Sequence, residues 1–341
     1  MNILDQASLS AYSTMGLGGT AAHLCEVTSR MEVLGALSWA QERQLPVVMI
    51  GGGSNIIWSD EGFSGLVIIN KVLGYQAFEE DETNVYLTIG AGENWDSVVE
   101  RSVAAGLTGI EALSLVPGSA GGTPVQNVGA YGQEIAQTLT TVEAFDTQVG
   151  DFVTLPGSDC GFSYRSSRFK TTDRGRFFIT SLTLHLMKGN PQPPFYGALQ
   201  TYFEANGINE YTPASVRQAV ISIRNSKLPD PAIVKNTGSF FANPIITEDQ
   251  FAPLAQAYDP IPHWPTDSGS IKLSAAWLIE QAGFKDFHDP ETGMATWPKQ
   301  SLVLVNEHAK STADLLAFKQ KIVDAVQAKF NLTLEQEPEL L

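Results

Sequence analysis

The sequence predicts a mixed α+β fold in which a glycine-lined ligand-binding domain is followed by a separate α/β domain. Three observations carry that prediction. The short apolar run Pro46-Val-Val-Met-Ile50 has the β-branched content of a buried strand, and it empties into Gly51-Gly-Gly-Ser-Asn55. Five glycines fall between Gly118 and Gly132, a density that no ordinary strand or helix interior carries. Beyond Asn190-Pro-Gln-Pro-Pro194 the composition changes, and alternating helix and strand signals begin again.

What glycine offers at such density is close backbone approach and a run of N–H groups that can converge on an anion. Among the central glycines sit Ser119, Thr123, Gln126, Asn127 and Tyr131, all able to hydrogen-bond and none charged. The stretch reads either as a wall built against a large polar ligand or as a loop-rich turn region, and composition alone does not separate the two. The second loop shifts the balance, because a strand ending in three glycines is a good place for amides to hold a pyrophosphate. No Lys-Ser/Thr follows, so it is not a Walker loop. Gly16-Leu-Gly18-Gly-Thr-Ala21 has dinucleotide-fingerprint spacing without a convincing strand before it.

With 341 residues and 43% hydrophobic content the chain can bury a sizeable core and should hold two or three domains. A net charge of −16 argues against nucleic acid and anionic membranes as partners. Cys25 and Cys160 have no metal-ligand spacing and are too few for a disulfide framework, which suits a reducing cytoplasm. Met1-Asn-Ile-Leu-Asp5 has no basic signal-peptide start, and nothing approaches 18 consecutive apolar residues. A cytoplasmic protein is expected, with small-molecule ligands, no metal and no nucleic-acid or membrane partner.

In chain order, Ser29 with Glu32 reads as a capping box for a helix whose apolar face includes Val33, Leu37 and Ala40. Leu66-Val-Ile-Ile69 completes a first α/β unit. Val85–Ile89 is a predicted strand, and Trp95, Val98, Val99, Ser102 and Val103 mark one face of a helix closed by Gly106. Thr140–Phe145 and Phe177–Leu184 are strand-like. Between them Phe162–Lys170 holds Arg165, Arg168 and Lys170 with no acid, a local reversal of sign in an acidic chain. Thr212 as N-cap and Pro213 at the first helical position open a helix showing Val216, Ala219, Val220 and Ile223. From Pro213 to Asn243 the basic residues Arg217, Arg224, Lys227 and Lys235 face the single acid Asp230. Ser274–Ala282 reads as a helix, Ser301–Val305 as a strand, and Ser311 with Asp314 starts a long helix showing Leu315, Ile322 and Val326.

Taken together, Gly51-Gly-Gly-Ser-Asn55, Pro117-Gly-Ser-Ala-Gly-Gly122, Gln126-Asn-Val-Gly-Ala-Tyr-Gly132, Tyr164-Arg165, Lys227-Leu-Pro-Asp-Pro231, Gly238-Ser-Phe-Phe-Ala-Asn-Pro244 and Leu334-Glu-Gln-Glu337 resemble the UDP-N-acetylenolpyruvoylglucosamine reductases (MurB) of peptidoglycan synthesis. The matches run in the family's order over nearly the whole chain. Tyr196-Gly-Ala-Leu199 and the segment from Thr212 to Arg224 resemble the longer type, with its tyrosine loop and split βαββ insertion.

The resemblance implies a two-lobed FAD-binding domain of the PCMH type over about residues 15–188, with lobes of about 15–70 and 71–188. A connecting insertion over 189–228, a substrate-binding domain over 229–330 and a C-terminal segment, 331–341, returning to the active site follow. It implies noncovalent FAD, NADPH as hydride donor, and reduction of the enolpyruvyl ether of UDP-N-acetylglucosamine to UDP-N-acetylmuramate. By the same resemblance Arg165 and Glu337 stabilise the enolate and Ser239 protonates C2. The cofactor set is Gly51, Gly52, Gly53, Ser54 and Asn55 in one loop, and Pro117, Gly118, Ser119, Gly121, Gly122, Gln126, Asn127, Gly129 and Ala130 in the other. Tyr131, Tyr196, Lys227, Asn243 and Gln300 match substrate contacts. At two positions the chain departs from the family's usual pattern: Glu339 stands where an arginine is usual, and Ser166 where an acid or its amide commonly follows Tyr-Arg. Two other readings are weaker. A flavin oxidase with tethered FAD is disfavoured because all five histidines lie outside the glycine stretches. A non-catalytic nucleotide-sugar-binding protein would not need Arg165, Ser239 and Glu337 together.

Overall fold

The computed structural model describes residues 1–258, 260–266 and 268–341. The chain forms two compact units, neither of them continuous. The first comprises Met1–Ala7, Ala21–Gly53 and Phe63–Asn225, and the second Ser8–Thr20, Ser54–Gly62 and Ser226–Leu341. This differs from the linear partition read from the sequence. Residues 189–225 join the first unit because Leu199, Phe203, Val216 and Val220 share a buried cluster with Ala112. Two early segments join the second because Met15, Leu17 and Ile57 are buried in its core.

In the first unit, one sheet runs in the order Ile3–Ser8, Thr20–Val27, Phe63–Asn70, Val47–Ile50. The last three strands are parallel, so Thr20–Val27, helix α1 (Arg30–Glu42) and Val47–Ile50 form a crossover unit. Val33, Ala36, Leu37 and Ala40 of α1 pack on Leu66 and Ile68. The α1 cap is shared between two residues rather than reciprocal. Ser29 accepts from the Glu32 amide, while the Glu32 carboxylate turns back to the amide and hydroxyl of Thr28, both at 2.7 Å.

The second sheet of this unit is antiparallel, in the order Asp151–Pro156, Leu139–Asp146, Phe177–Lys188, Asn84–Gly90, Tyr75–Glu79. Helix α2 (Trp95–Ala104) buries Trp95, Val98 and Val99 against it. Helices α3 (Gly197–Ala205) and α4 (Pro213–Lys227) follow. The latter continues past Ile223 through Lys227 and stops two residues before Pro229, where a proline disfavours helix in the residue ahead of it. Arg217 and Arg224 therefore lie two turns apart on one helix.

The second unit contains the sheet Asn236–Ser239, Gln300–Asn306, Met294–Trp297, His288–Asp289 and a small sheet centred on Ile271–Leu273. Helix α5 (Glu248–Ala257) precedes α6 (Ala275–Ile279), which widens over Glu280–Phe284 and is closed by Gly283 at φ 96°. Helix α7 (Thr312–Phe330) starts in the expected Ser311/Asp314 capping box and buries Leu315, Phe318, Ile322 and Val326. Among the described residues no helix is long and apolar enough to cross a membrane, and no cluster of His, Cys, Asp and Glu could hold a metal ion.

Candidate active site

The two glycine loops of the first unit meet backbone to backbone. A Cβ built on Gly51 would stand 1.8 Å from Ser119 Oγ, and one on Gly52 would stand 3.0 Å from Gly118 Cα. Only glycine permits that contact. The 118–121 loop is bonded along the entry to α2, through Trp95 N–H to Gly118 O (3.1 Å), Ala120 N–H to Glu93 O (2.8 Å) and Gly121 N–H to Ala91 O (2.8 Å). Pro117 and Gly122 are exposed, Gln126 and Ala130 are half-buried, and Gly53 is buried with φ 67°. Ser54 and Asn55 belong to the second unit, where Asn55 O accepts the Glu339 amide at 3.0 Å.

Asn127 has a different role from that of its neighbours. Buried, with φ 45°, it donates from Nδ2 to Glu134 Oε2 (2.8 Å) and to Ser163 O (3.1 Å), and its Oδ1 accepts the Ala136 amide (3.2 Å). The bond to Ser163 fixes the base of the turn that carries Tyr164 and Arg165, closed by paired Ser163 and Ser166 amide bonds of 3.1 Å each. Arg165, at φ 52°, donates from Nη2 to Gly129 O at 2.5 Å. Gly129 has no Cβ where one would lie 2.9 Å from Arg165 Nη1. Ser166 thus serves through its backbone, and the carbonyl of Gly129 takes a hydrogen bond from the guanidinium.

Gly129–Ala130 and Gln133–Glu134 pair as a hairpin whose two turn residues, Tyr131 (φ 49°) and Gly132 (φ 87°), have the positive φ that primed turns require. The turn presents Tyr131 edge-on to Tyr196, with ring centroids 6.0 Å apart. Both line a cleft of about 260 Å³ together with Thr108, Glu111, Gln133 and Leu199. Burial pushes both phenols above the usual tyrosine range, and the Arg224 charge opposes this at Tyr131. Two cations of the expected basic clusters prove to be committed elsewhere. Arg168 pairs with Asp173 at 2.7 Å, and Arg217 pairs with Asp96 at 2.6 Å.

In the second unit the Asn236 side chain accepts the Gly238 amide (2.8 Å), and Gly238 (φ 72°) bulges the strand so that Asn236 pairs with Val305 and Ser239 with Val303. Ser239 is half-buried at the end of that strand. The terminal segment returns alongside it. Ala242 N–H bonds to Glu335 O and Glu337 N–H to Phe240 O, each at 2.9 Å. Ser239 and Glu337 are thereby brought to neighbouring positions of one antiparallel contact. Gln300 faces Trp297, whose indole donates to Lys227 O at 3.0 Å, so these two candidate positions adjoin. Asn243 spends its Oδ1 on the Ala275 amide at the start of α6, at 2.9 Å.

Sequence reasoning missed Thr14 and Thr237, whose buried hydroxyls have no hydrogen-bond partner in the protein. Thr14 is tied to the strand that carries Thr237, because Asn236 N–H bonds to Thr14 O at 3.1 Å. A Thr two residues before the Ser of a Gly-Ser-aromatic turn was the available signal. Two glycine loops held together with no side chain between them at Gly51, Gly52 and Gly118 leave backbone amides for the pyrophosphate of a large polar cofactor, which fits the stretch better than an unliganded turn region. Cys25 and Cys160 are buried, which pushes both thiols up to about 11, so neither offers a thiolate for tethering a flavin.

The comparisons with known proteins agree with this geometry. Residues 21–155 match the family model of an FAD binding domain, and residues 230–341 that of the UDP-N-acetylenolpyruvoylglucosamine reductase C-terminal domain. The UDP-N-acetylenolpyruvoylglucosamine reductase of Chromobacterium violaceum is 38% identical over 98% of this chain and 97% of its own. That of Thermobifida fusca is 39% identical over 98% of this chain and 96% of its own. In fold, the crystal structure of the Thermus caldophilus enzyme (MurB) covers 100% of the chain, with 99% of its own length matched, at a TM-score of 0.68 and 24% identity. With both halves of the molecule matched in order, the chain belongs to the UDP-N-acetylenolpyruvoylglucosamine reductase family.

Proposed function

We propose that this protein is an NADPH-dependent flavoenzyme that reduces the enolpyruvyl group of UDP-N-acetylglucosamine enolpyruvate to give UDP-N-acetylmuramate, a peptidoglycan precursor. The observation that carries this reading is the 38% identity to a UDP-N-acetylenolpyruvoylglucosamine reductase over 98% of the chain, which spans both units. FAD, held noncovalently, supplies two-electron chemistry between NADPH and the substrate. The Gly51–Gly53 and Gly118–Gly122 loops hold its pyrophosphate through backbone amides at a neutral glycine surface, which is how a chain of net charge −16 can accept an anion. Gln126, Gly129 and Ala130 extend that wall, and Asn127 keeps it in shape from behind.

Reduction of an enolpyruvyl carboxylate at C3 builds negative charge into an enolate conjugated with the carboxylate. Groups preorganised around those oxygens therefore lower the barrier. Arg165, held by Gly129 O, supplies positive charge, and Glu337, in its protonated form, supplies a donor. Ser239 gives its hydroxyl proton to C2 and recovers it from solvent; so basic an enolate can take a proton from an alcohol. In the first unit Tyr131 and Tyr196 frame the cleft that receives the nucleotide-sugar end; in the second unit Lys227 and Gln300 supply charge and amide contacts to the substrate, and Asn243 acts by fixing the start of α6. The first unit is the flavin domain and the second the substrate domain, with residues 189–225 serving the first. The enzyme works on small molecules in the cytoplasm, as a monomer.

The test is spectroscopic. The purified protein should be yellow, bleach anaerobically with NADPH, and recover its colour on addition of UDP-N-acetylglucosamine enolpyruvate. A colourless protein that FAD cannot reconstitute would overturn the reading. A yellow one reoxidised only by oxygen would favour an oxidase instead.

A further inference from the structure

One ion pair has no part in this chemistry, yet it touches the flavin loop. Asp96, in the first turn of α2, and Arg217, on α4, are joined by a two-pronged contact, Nη1 to Oδ1 at 2.6 Å and Nη2 to Oδ2 at 3.0 Å. Arg217 is 11% exposed and Asp96 25%, so the pair is largely shielded from water. The same Asp96 Oδ1 accepts the backbone N–H of Leu115 at 2.6 Å. Leu115 has φ 56°, in the left-handed region that a residue with a side chain enters only at a cost. Three residues later comes Gly118, whose carbonyl takes the Trp95 amide, so the loop is fastened to α2 at both points. Burial alone would raise the Asp96 pKa, but the Arg217 fork and the Leu115 amide outweigh it and hold the carboxyl below its ordinary value. Another face of α4 carries Val216, Ala219 and Val220 into the cluster with Leu199 and Phe203, directly after Tyr196.

We infer that Asp96 and Arg217 are positioning residues for the flavin loop. The Asp96 carboxylate holds Leu115 in its left-handed turn so that Gly118 and Ser119 meet Gly51 and Gly52, and Arg217 holds the carboxylate. The pair is also a strut that makes the shape of the flavin loop depend on the α3–α4 element behind Tyr196. This inference rests on the flavin reading above.

The experiment is titration of deflavinated protein with FAD, followed by flavin fluorescence, with melting curves of the apo and FAD-loaded forms. Asp96→Ala should raise the FAD dissociation constant by about tenfold, equivalent to about 1.4 kcal/mol. Arg217→Met should act in the same direction, and Asp96→Asn, which keeps an acceptor for Leu115, should do less harm. The decisive variant is Asp96→Ala combined with Leu115→Gly. Glycine takes the positive φ unaided, so the double variant should regain most of the lost affinity, which relief of a merely general destabilisation would not produce. If Asp96→Ala fails to fold, Asp96→Asn with and without Leu115→Gly makes the same comparison. Unchanged FAD affinity in the Asp96 variants of a protein whose wild type binds FAD overturns this inference alone, as does loss of affinity that Leu115→Gly leaves unrepaired. A wild-type protein that takes up no FAD overturns the flavin reading and this inference with it.

Discussion

Asn127 and Thr237 are alike by every local measure: each is a short polar residue, buried to 1% and 4% exposure, within two residues of a glycine. They use that burial in opposite ways. Asn127 engages both donors and its acceptor inside the protein, binding the hairpin at Glu134, the helical turn at Ala136 and the arginine turn at Ser163. Thr237, like Thr14, leaves its hydroxyl with nothing to bond. A satisfied buried amide is a building element whose loss is felt everywhere around it. An orphaned hydroxyl costs about 1–3 kcal/mol of desolvation that a valine would avoid, so Thr237 is kept at a loss to the fold. Polarity and burial together therefore do not mark a ligand contact; the hydrogen-bond account does.

That contrast can be sharpened by four substitutions. Ser239→Ala should show a third behaviour, neither scaffold nor orphan: normal bleaching by NADPH, but flavin reoxidation by the enolpyruvyl substrate slowed about 10²–10⁴-fold, read by stopped-flow absorbance. Unchanged reoxidation would remove Ser239 from the mechanism. Asn127→Ala should cost about 3 kcal/mol in urea unfolding, since it strands buried partners on three segments, and should strip FAD during purification. A loss below about 1 kcal/mol would demote Asn127 to an ordinary loop residue. Thr237→Val should do the reverse for the apo-protein, stabilising it by about 1 kcal/mol while raising the substrate KM. A destabilised Thr237→Val would mean that the hydroxyl has a partner inside the protein, and the contrast would collapse. Gly35→Ala is the smallest change and the control. This glycine sits exposed within α1 with open space around its Cα. Alanine there should add about 0.5–1 kcal/mol without altering FAD affinity.

The same distinction explains what the sequence disclosed and what it withheld. The strand into Gly51, the cap at Ser311 and the apolar faces of α1, α2 and α4 were legible because each is written within a few neighbouring residues. The fork between Arg217 and Asp96 spans 121 positions, and nothing local to Arg217 announces an acid so far away. Charge counted along the chain sets Arg217 against the single nearby acid Asp230 and misses its partner Asp96. The apolar pattern of α4 ends at Ile223, but the helix runs on through the polar residues to Lys227, and Pro229 stops it. Arg165 was legible as a cation, but not that Gly129 is bare so that its guanidinium can lie against the backbone. The linear domain boundaries failed to show the interleaving, since Met15, Leu17 and Ile57 find their partners only in the last third of the chain.

That interleaving has a consequence for synthesis. Met15 and Ile57 are fully buried beside Phe318, Ile322 and Val326 of α7, yet the ribosome releases them long before those partners exist. At about 5–20 residues per second the wait is tens of seconds. For that interval the nascent chain carries apolar segments, interleaved in sequence with the strands of its first parallel sheet, that lack their partners, a natural landing place for a chaperone. The exposure of these segments during synthesis is thus set by how fast the last third of the message is translated.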